Sequence, residues 1–326
     1  MTEKKPLIIL TGPTAVGKTA LSLKLAEKIN GSVISADSMQ VYKGMDVGTA
    51  KITKEEMGDI PHYLIDVLEP DEEFHVVRFQ EMARQAMDEI YRQGRVPILT
   101  GGTGFYIQAV LYDIDFTNQE ENSAYRAHLE QYAAERGNEA LHQKLSEVDP
   151  VSAKKIHPNN RKRMIRALEY YHETGEPISR HNEAEAAKPS PYAFRYFVLN
   201  DKRENIYRNI EKRVDSMLEG GLVEEVKALK ARGYQKGMVS MQGLGYKEIL
   251  SFLDGEISLE EAVYLLKRDT RHFAKRQLTW FRRERDVIWI NKDEFGYDDD
   301  KILAFMLEQT DKVIRRRIDS GAGSDI

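Results

Sequence analysis

The chain has 326 residues, of which 41% are hydrophobic and 31% are charged, and its formal net charge is −5. This composition indicates a globular protein with a sizeable core, and the net acidity argues against indiscriminate coating of nucleic acid. The lack of cysteine excludes a disulfide framework and a thiolate zinc site, and the lack of a signal peptide or of an apolar run near the ~20 residues of a membrane span predicts a cytoplasmic protein with no membrane partner.

The N-terminal third alternates short apolar strands with helices. The pattern predicts strands at 7–10, 32–36 and 96–99 and helices at 20–29 and 79–91. Strands that alternate with helices are typical of a parallel sheet covered by helices, so we expect an α/β core.

The pattern changes near residue 116. From 120 to about 174 the sequence is helical and charged, and 183–191 has the composition of a linker. We therefore predict a helical insertion domain at 117–191, inside a discontinuous core made of 1–116 and 192–316. The core resumes with strands at 192–199 and 287–290 and helices at 203–219, 223–232, 259–281 and 301–316, and we expect a disordered tail at 317–326.

A glycine-rich loop follows the first strand and leads into a helix. Its sequence, GPTAVGKT at 12–19, fits the GxxxxGK[ST] spacing, in which backbone N–H groups and the helix N-terminus face phosphate oxygens. Lys18 is expected to reach the phosphates, and the Thr19 hydroxyl is expected to hold Mg²⁺. The remaining predicted phosphate contacts are Gly12, Thr14, Ala15, Val16 and Gly17. The motif leaves the reaction open, since it serves both phosphoryl transfer and the binding of a departing diphosphate.

Polar residues follow the second and third predicted strands. Asp37 comes directly after the strand at 32–36, and Thr103 closes the run 100–103 after the strand at 96–99. Ligands of open α/β sheets bind at the carboxyl ends of strands, so both residues are expected near the phosphate site. Three interpretations of Asp37 stay open: a Mg²⁺ ligand, a general base, or a plain helix N-cap.

Two tracts concentrate positive charge. Residues 154–166 contain six Lys and Arg, and residues 267–285 contain eight. In the second tract Arg268, Arg271, Lys275 and Arg282 share one face of a predicted helix, and Leu265, Leu266, Phe273 and Trp280 are expected to pack on another. This arrangement favours a phosphate backbone as partner, with a solvated helix face as the alternative.

Seven segments together resemble the bacterial tRNA dimethylallyltransferase (tRNA isopentenyltransferase) family. They are GPTAVGKT (12–19), SADSMQVYKGMDVGTAK (35–51), PHYLIDV (61–67), LTGGTGFY (99–106), DPVSAKKIHPNNRKRMIRALE (149–169), GLGYKE (243–248) and KRQLTWFRRE (275–284). The resemblance implies a P-loop NTPase/kinase-like parallel sheet with an all-helical insertion. It also implies transfer of a dimethylallyl group from dimethylallyl diphosphate to N6 of the adenosine 3′-adjacent to the anticodon, with Mg²⁺ as cofactor. Eukaryotic relatives append a Cys/His zinc finger, which this cysteine-free chain lacks.

The resemblance also implies roles for individual residues. Asp37 would be the general base, Arg213 an additional cation for the leaving diphosphate, and Thr103 a neighbour of the adenine. The residues predicted to contact the tRNA anticodon stem-loop are Asp37, Ser38, Met39, Gln40, Arg126, Arg161, Lys162, Arg163, Met164, Ile165, Gln242, Gly243, Gly245, Tyr246 and Lys247, and the basic helix adds Arg271 and Lys275. For Arg213, a surface salt bridge with a neighbouring glutamate is the alternative.

Three other functions remain possible at this point. One is a P-loop small-molecule kinase that uses ATP, another is a prenyltransferase of free adenine nucleotides, and the third is a non-enzymatic RNA-binding or nucleotide-switch protein. The two basic tracts favour a polyanionic macromolecule over a small acceptor. We expect a monomer with no obligatory protein partner.

Overall fold

The structure is a computed structural model that describes residues 4–116 and 124–314. Its strands are β1 (Pro6–Thr11), β2 (Gly31–Ser35), β3 (His62–Tyr63), β4 (Val96–Gly101), β5 (Ala193–Asn200) and β6 (Val287–Asn291). Its α-helices are α1 (Lys18–Ile29), α2 (Lys54–Met57), α3 (Val76–Arg92), α4 (Gly104–Leu111), α5 (Ala124–Arg136), α6 (Asn138–Val148), α7 (Pro150–Lys155), α8 (Arg161–Thr174), α9 (Ile178–Ala187), α10 (Arg203–Glu219), α11 (Leu222–Ala231), α12 (Tyr246–Leu253), α13 (Leu259–Phe281) and α14 (Asp299–Ile314). Short 3₁₀ turns lie at Ser240–Gln242 and Lys292–Phe295.

The six strands form one parallel sheet in the order β3-β2-β4-β1-β5-β6. In its register Thr11 lies opposite Gly101, and Ser35 lies opposite Thr100. The carboxyl ends of β1, β2 and β4 are therefore level, and the three loops that follow them leave the sheet at one edge, where open α/β sheets bind their ligands.

The sheet is the centre of the core. Every residue of β1 is buried, and one apolar cluster includes Ile8, Leu10, Phe197 and Met306. Helix α1 contributes Leu21 and Leu25 to that cluster, which explains the helical spacing of apolar residues in this segment. Burial of β1 on both faces explains its continuous apolar sequence.

Residues are grouped into two compact units: one comprises the chain up to 111 and from 191 onward, and the other comprises 112–190. Within its described residues the smaller unit contains helices and no strand, and its core includes Leu129, Leu141, Leu145, Met164 and Leu168. The predicted boundary at 117 and the predicted tail at 317–326 lie outside the described residues. No helix in the described ranges is both long and apolar enough to cross a lipid bilayer.

The predicted linker at 183–191 is wrong for its first five residues, which belong to α9. The reason is the side chain of Glu185, which is buried although glutamate is usually exposed. Its carboxylate accepts a 3.0 Å hydrogen bond from the backbone N–H of Asp115 and pairs with Lys188 at 2.5 Å. These contacts hold the segment in a helix that its composition does not predict.

Candidate functional site

The loop between β1 and α1 turns sharply with a strained backbone. Gly12 and Gly17 have positive φ angles of 148° and 101°, and Ala15, which carries a Cβ, has a φ of 62°. A Cβ on Gly12 would lie 2.2 Å from the carbonyl oxygen of Leu199, so that position accepts only glycine. The amide of Asn209 donates a 3.3 Å hydrogen bond to the carbonyl of Ala15 and helps to hold the strained residue.

Lys18 begins α1 and folds back over this loop. Its Nζ donates hydrogen bonds to the carbonyl oxygens of Gly12, at 3.1 Å, and Pro13, at 2.9 Å. The pKa of Lys18 is lowered to about 7, chiefly because of burial and also because of the positive charge of Arg213, while the carboxylate of Asp37 opposes both effects. The lysine predicted to bind phosphate is therefore a poorly solvated ammonium, to which an anion would bind strongly.

Arg213 projects from α10 to the same loop. Its Nη1 donates a 3.1 Å hydrogen bond to the hydroxyl of Thr14, and its side chain is half-buried. Within the described residues no carboxylate forms an ion pair with it, so the alternative of a surface salt bridge is wrong. Burial lowers the pKa of Arg213, and the carboxylate of Asp37 opposes the downward shift for both Arg213 and Lys18.

Asp37 lies in the loop after β2, and no helix begins there, since α2 starts only at Lys54. The interpretation of Asp37 as a helix N-cap is therefore wrong. One carboxylate oxygen accepts a 2.8 Å hydrogen bond from the N–H of Met39, two residues on, in a local turn. The other oxygen has no hydrogen-bond partner within the described part of the chain, so it is available as a base or as a metal ligand.

The loop after β4 closes against the same point. The N–H of Thr103 donates a 3.2 Å hydrogen bond to the carbonyl of Ala36, and the N–H of Ala36 donates one of 2.7 Å to Thr100. Thr103 therefore lies beside the residue that precedes Asp37, and its side chain is half-buried. The structure brings Lys18, Arg213, Asp37 and Thr103, predicted from distant segments, to one edge of the sheet.

Gln277 belongs to this arrangement, although no role was predicted for it within the segment 275–284. Its side chain, 5% exposed, accepts a hydrogen bond from Thr14 and donates one to Gly102.

The buried residues of α13 are Ala262, Leu266, Thr270, Ala274, Gln277 and Phe281. Of the four residues expected to pack, Leu266 is buried, whereas Leu265, Phe273 and Trp280 are half-buried, and the remainder of the buried face consists largely of small and polar residues.

Two segments with predicted tRNA contacts meet beside Asp37. A Cβ on Gly243 would lie 2.5 Å from the Cε of Met39, so the two loops touch. Tyr246 is completely buried and donates a 2.6 Å hydrogen bond to Glu225, which corrects its predicted tRNA contact to a packing role. Among the other residues with predicted tRNA contacts, Ser38 is half-buried, and Gln40 forms hydrogen bonds with Ser35 and Thr49. The side chain of Gln242 donates a hydrogen bond to the carbonyl of Lys236. Lys247 forms ion pairs with Glu248 and Asp269. Gly245 adopts a φ of 95° and donates to Glu248 at 2.8 Å.

The predicted contacts in the helical unit fall into two groups. Met164 and Ile165 are buried in its core, so their predicted contact with tRNA is corrected to packing. Arg126 forms a bidentate pair with the buried Glu169, at 3.0 and 2.7 Å, which commits much of its guanidinium to the protein. Lys162 and Arg163 are exposed at the N-terminus of α8, and Arg161 beside them bonds to Asn138 at 3.0 Å.

The C-terminal half of α13 presents the basic surface. A groove of about 360 Å³ is lined by His272, Lys275, Arg276, Thr279, Trp280 and Arg283. Lys275 is exposed, whereas Arg271 pairs with Glu211 at 3.2 Å and Arg268 pairs with Asp269 at 2.8 Å. Lys275 is thus freer than Arg271 to meet an external phosphate.

Thr19 is exposed at the first turn of α1, and the described residues contain no group of three or more His, Asp or Glu that would hold a metal by itself. This suits Mg²⁺, which usually takes one or two protein ligands, substrate phosphate oxygens and waters. Thr19 and Asp37 are the protein residues that fit such an ion.

The chain matches a known family over most of its length. The profile of the family described as IPP transferase matches residues 40–284. The tRNA dimethylallyltransferase of Lachnoclostridium phytofermentans is 60% identical over 310 residues, covering 95% of this chain and 99% of the relative.

Solved structures give the same result. The tRNA isopentenylpyrophosphate transferase of Bacillus halodurans is 44% identical with a TM-score of 0.72, over 96% of this chain and 99% of that one. A eukaryotic dimethylallyltransferase acting on tRNA is 30% identical with a TM-score of 0.75, over 88% and 74% of the respective chains. The predicted α/β fold of the P-loop type is confirmed.

Proposed function

Since this chain belongs to the IPP transferase family, we propose that it is a tRNA dimethylallyltransferase. It transfers the dimethylallyl group of dimethylallyl diphosphate to N6 of the adenosine immediately 3′ of the anticodon and releases diphosphate. The observation that carries this proposal is the convergence of Lys18, Arg213 and Asp37: the two cations bond to the loop after β1, and Asp37 follows β2, whose carboxyl end is level with that of β1. A base beside an anion site suits a reaction in which a proton and an anionic leaving group depart from neighbouring atoms.

The loop after β1 stabilises the leaving group. As the bond between the allylic carbon and the diphosphate oxygen breaks, negative charge accumulates on the diphosphate. The ammonium of Lys18 and the guanidinium of Arg213 are fixed near the loop before that charge develops. When bound at Thr19, Mg²⁺ supplies further neutralisation of the diphosphate oxygens.

Asp37 serves the other half of the reaction. The lone pair of adenine N6 is delocalised into the ring, so the amine attacks carbon poorly while it keeps both protons. The free carboxylate oxygen of Asp37 accepts one N6 proton as the new N–C bond forms, and the other oxygen stays anchored to the N–H of Met39. The loop of Thr103 lies beside this carboxylate and forms the adjacent wall.

The acceptor is a base in a structured RNA. A loop adenosine must be splayed out to reach a carboxylate at a sheet edge, and proteins that read RNA loops commonly extrude bases in this way. The basic groove on α13 supplies sequence-independent attraction to the phosphate backbone. A kinase or an enzyme acting on free nucleotides has less use for such a surface.

The proposal is tested with labelled dimethylallyl diphosphate, Mg²⁺ and unmodified tRNA, with AMP and ATP as competing partners. We expect label on the tRNA alone, at the adenosine after the anticodon. The matched control is the same tRNA with inosine at that position, which lacks the N6 amine and is expected to stay unlabelled. Label on AMP, phosphate release from ATP without prenyl transfer, or equal labelling of the inosine tRNA contradicts the proposal.

A further inference from the structure

Gln277 on α13 bridges two loops that lie far apart in the sequence. Its Oε1 accepts a 2.9 Å hydrogen bond from the N–H of Thr14, and its Nε2 donates a 3.0 Å hydrogen bond to the carbonyl of Gly102. The partners are separated from Gln277 by 263 and 175 residues, respectively. Only one orientation of the amide satisfies both, because one end must accept and the other must donate.

The first of these bonds acts on the peptide unit that holds Lys18. The carbonyl of Pro13 and the N–H of Thr14 belong to the same planar peptide. Its carbonyl end accepts the 2.9 Å hydrogen bond from Lys18 Nζ, while its N–H end is held by Gln277. Gln277 therefore fixes the plane of the peptide against which the phosphate-binding ammonium rests.

The second bond holds the peptide unit between Gly102 and Thr103, which connects to the loop of Asp37. The carbonyl of Gly102 accepts from Gln277, and the N–H at the other end of that peptide belongs to Thr103. Thr103 donates in turn to the carbonyl of Ala36, at 3.2 Å, directly before Asp37. An unbroken chain of hydrogen bonds thus runs from Lys18, through Gln277, to the residue beside Asp37.

The carboxamide of Gln277 fits this position closely. A Cβ on Gly102 would lie 2.0 Å from its Nε2, so the amide packs directly against the loop after β4. A carboxylate in its place would offer two acceptors and set an oxygen against the carbonyl of Gly102. A thioether would make neither hydrogen bond and would leave two buried backbone groups unpaired.

We propose that Gln277 is a positioning residue that sets the distance between the diphosphate half and the adenosine half of the site. This inference rests on the proposed function, since it assigns the two loops to the two substrates. Chains of hydrogen bonds in a buried setting also polarise one another, which stiffens the connection. Gln277 touches neither substrate and acts through the peptide units that it holds.

The first test replaces Gln277 by Met, which has a similar volume and no hydrogen-bonding amide. We expect kcat for tRNA prenylation to fall about 100-fold, as for a small misplacement of reacting groups, with the Kd for tRNA unchanged. Affinity for inorganic diphosphate is expected to fall roughly tenfold, the effect of one lost hydrogen bond. Thr270→Val is the matched control, because Thr270 lies two turns earlier on the same buried face.

The second test measures kcat for tRNA prenylation as a function of pH for Gln277→Glu and divides it by the wild-type kcat at the same pH. A protonated carboxyl group accepts from Thr14 and donates to Gly102 as the amide does, whereas the ionised form cannot donate. The ratio is therefore expected to be highest at low pH and to fall as pH rises through the pKa of the introduced group. A buried structural role that does not set geometry would leave this ratio flat.

The inference is overturned if Gln277→Met keeps the kcat and the diphosphate affinity of the wild type, or if the Gln277→Glu ratio does not depend on pH. Failure of the wild type to prenylate tRNA would instead defeat the proposed function. In that case the diphosphate affinities of the two variants still decide whether Gln277 orients the phosphate loop.

Discussion

The guanidinium of Arg213 donates a 3.1 Å hydrogen bond to the hydroxyl of Thr14, although 199 residues separate the two in the chain. This contact adds a cation from α10 to a loop whose own lysine lies at its other side. The phosphate site is thus assembled from two parts of the chain, and several measurable properties depend on that assembly.

Arg213→Gln is expected to lower kcat/KM for dimethylallyl diphosphate by about 100-fold, because a fixed positive charge at the leaving group is lost. Steady-state kinetics with saturating tRNA measure this. Lys212→Gln is the matched control, since it removes the same charge from an exposed neighbour on α10. Equal, small effects of both substitutions would show that Arg213 acts only through general charge.

Diphosphate binding is expected to weaken as pH rises above 7. Burial lowers the pKa of Lys18 to about 7, so the free protein loses the ammonium above that pH, while the bound anion requires it. The affinity then falls by up to about tenfold per pH unit, with proton uptake on binding. Calorimetry between pH 7 and 9 measures both quantities.

The control for this pH dependence is Lys18→Arg, because a guanidinium stays charged throughout the range. The ionisation of diphosphate affects both proteins equally, so it cancels in the ratio of the wild-type affinity to the affinity of the variant. A ratio that stays constant from pH 7 to 9 would contradict the lowered pKa of Lys18.

Asp37→Asn is expected to reduce turnover by at least about 100-fold with little change in tRNA affinity, since the variant cannot accept the N6 proton. The asparagine oxygen still accepts from the N–H of Met39, so the local turn is preserved. Asp37→Ala, which loses the turn as well, gives the comparison. Undiminished single-turnover rates in Asp37→Asn would exclude this residue as the base.

The hydrogen bond between the buried Tyr246 and the half-buried Glu225 is expected to contribute to stability and not to RNA contact. The Glu225 carboxylate also accepts from the N–H groups of Asp46, Val47 and Gly48, at 2.8, 2.8 and 3.0 Å. Tyr246→Phe removes a hydrogen bond to a charged group and should lower the free energy of unfolding by about 1.5–3 kcal/mol. Denaturant titration measures the loss, and a parallel fall in tRNA affinity without loss of stability would contradict the packing role.

The basic surface of α13 is expected to contact phosphates through Lys275 more than through Arg271. Lys275→Ala should weaken tRNA binding and reduce the salt slope of log Kd by about one, whereas Arg271→Ala should change it less because Arg271 is paired with Glu211. Lys301→Ala on α14 serves as an exposed control. Equal slopes for Lys275→Ala and Lys301→Ala would show that the α13 groove does not bind RNA.

The elements with a strong local signal were predictable from the sequence. Helices α10 and α13 have the predicted bounds because both carry a long apolar periodicity, and Gly220 ends α10. Strand β3, with two residues, was missed, and so was α4, whose start lies in a run of glycines. Neither carries a periodic pattern long enough to be recognised.

The site was predictable where a motif or a strand end marked it. The loop at 12–19 and Asp37 are of this kind, because spacing and position after a strand carry the information. Gln277 and Glu225 were not predictable, since each acts on backbone groups more than 170 residues away. For Met164, Ile165 and Tyr246 the resemblance located the segment but could not give the direction of the side chain, and all three point into the protein.

The central claim is that Lys18 binds the diphosphate of the prenyl donor while Asp37 accepts the proton from the adenine N6 that attacks the allylic carbon. It is tested most directly by a crystal structure of the protein with the thiolodiphosphate analogue of the prenyl donor and an anticodon stem-loop. The account predicts diphosphate oxygens on Lys18 and Arg213, and N6 within about 3 Å of the free oxygen of Asp37. A diphosphate bound outside the loop at 12–19, or an adenine held away from Asp37 and Thr103, would contradict it.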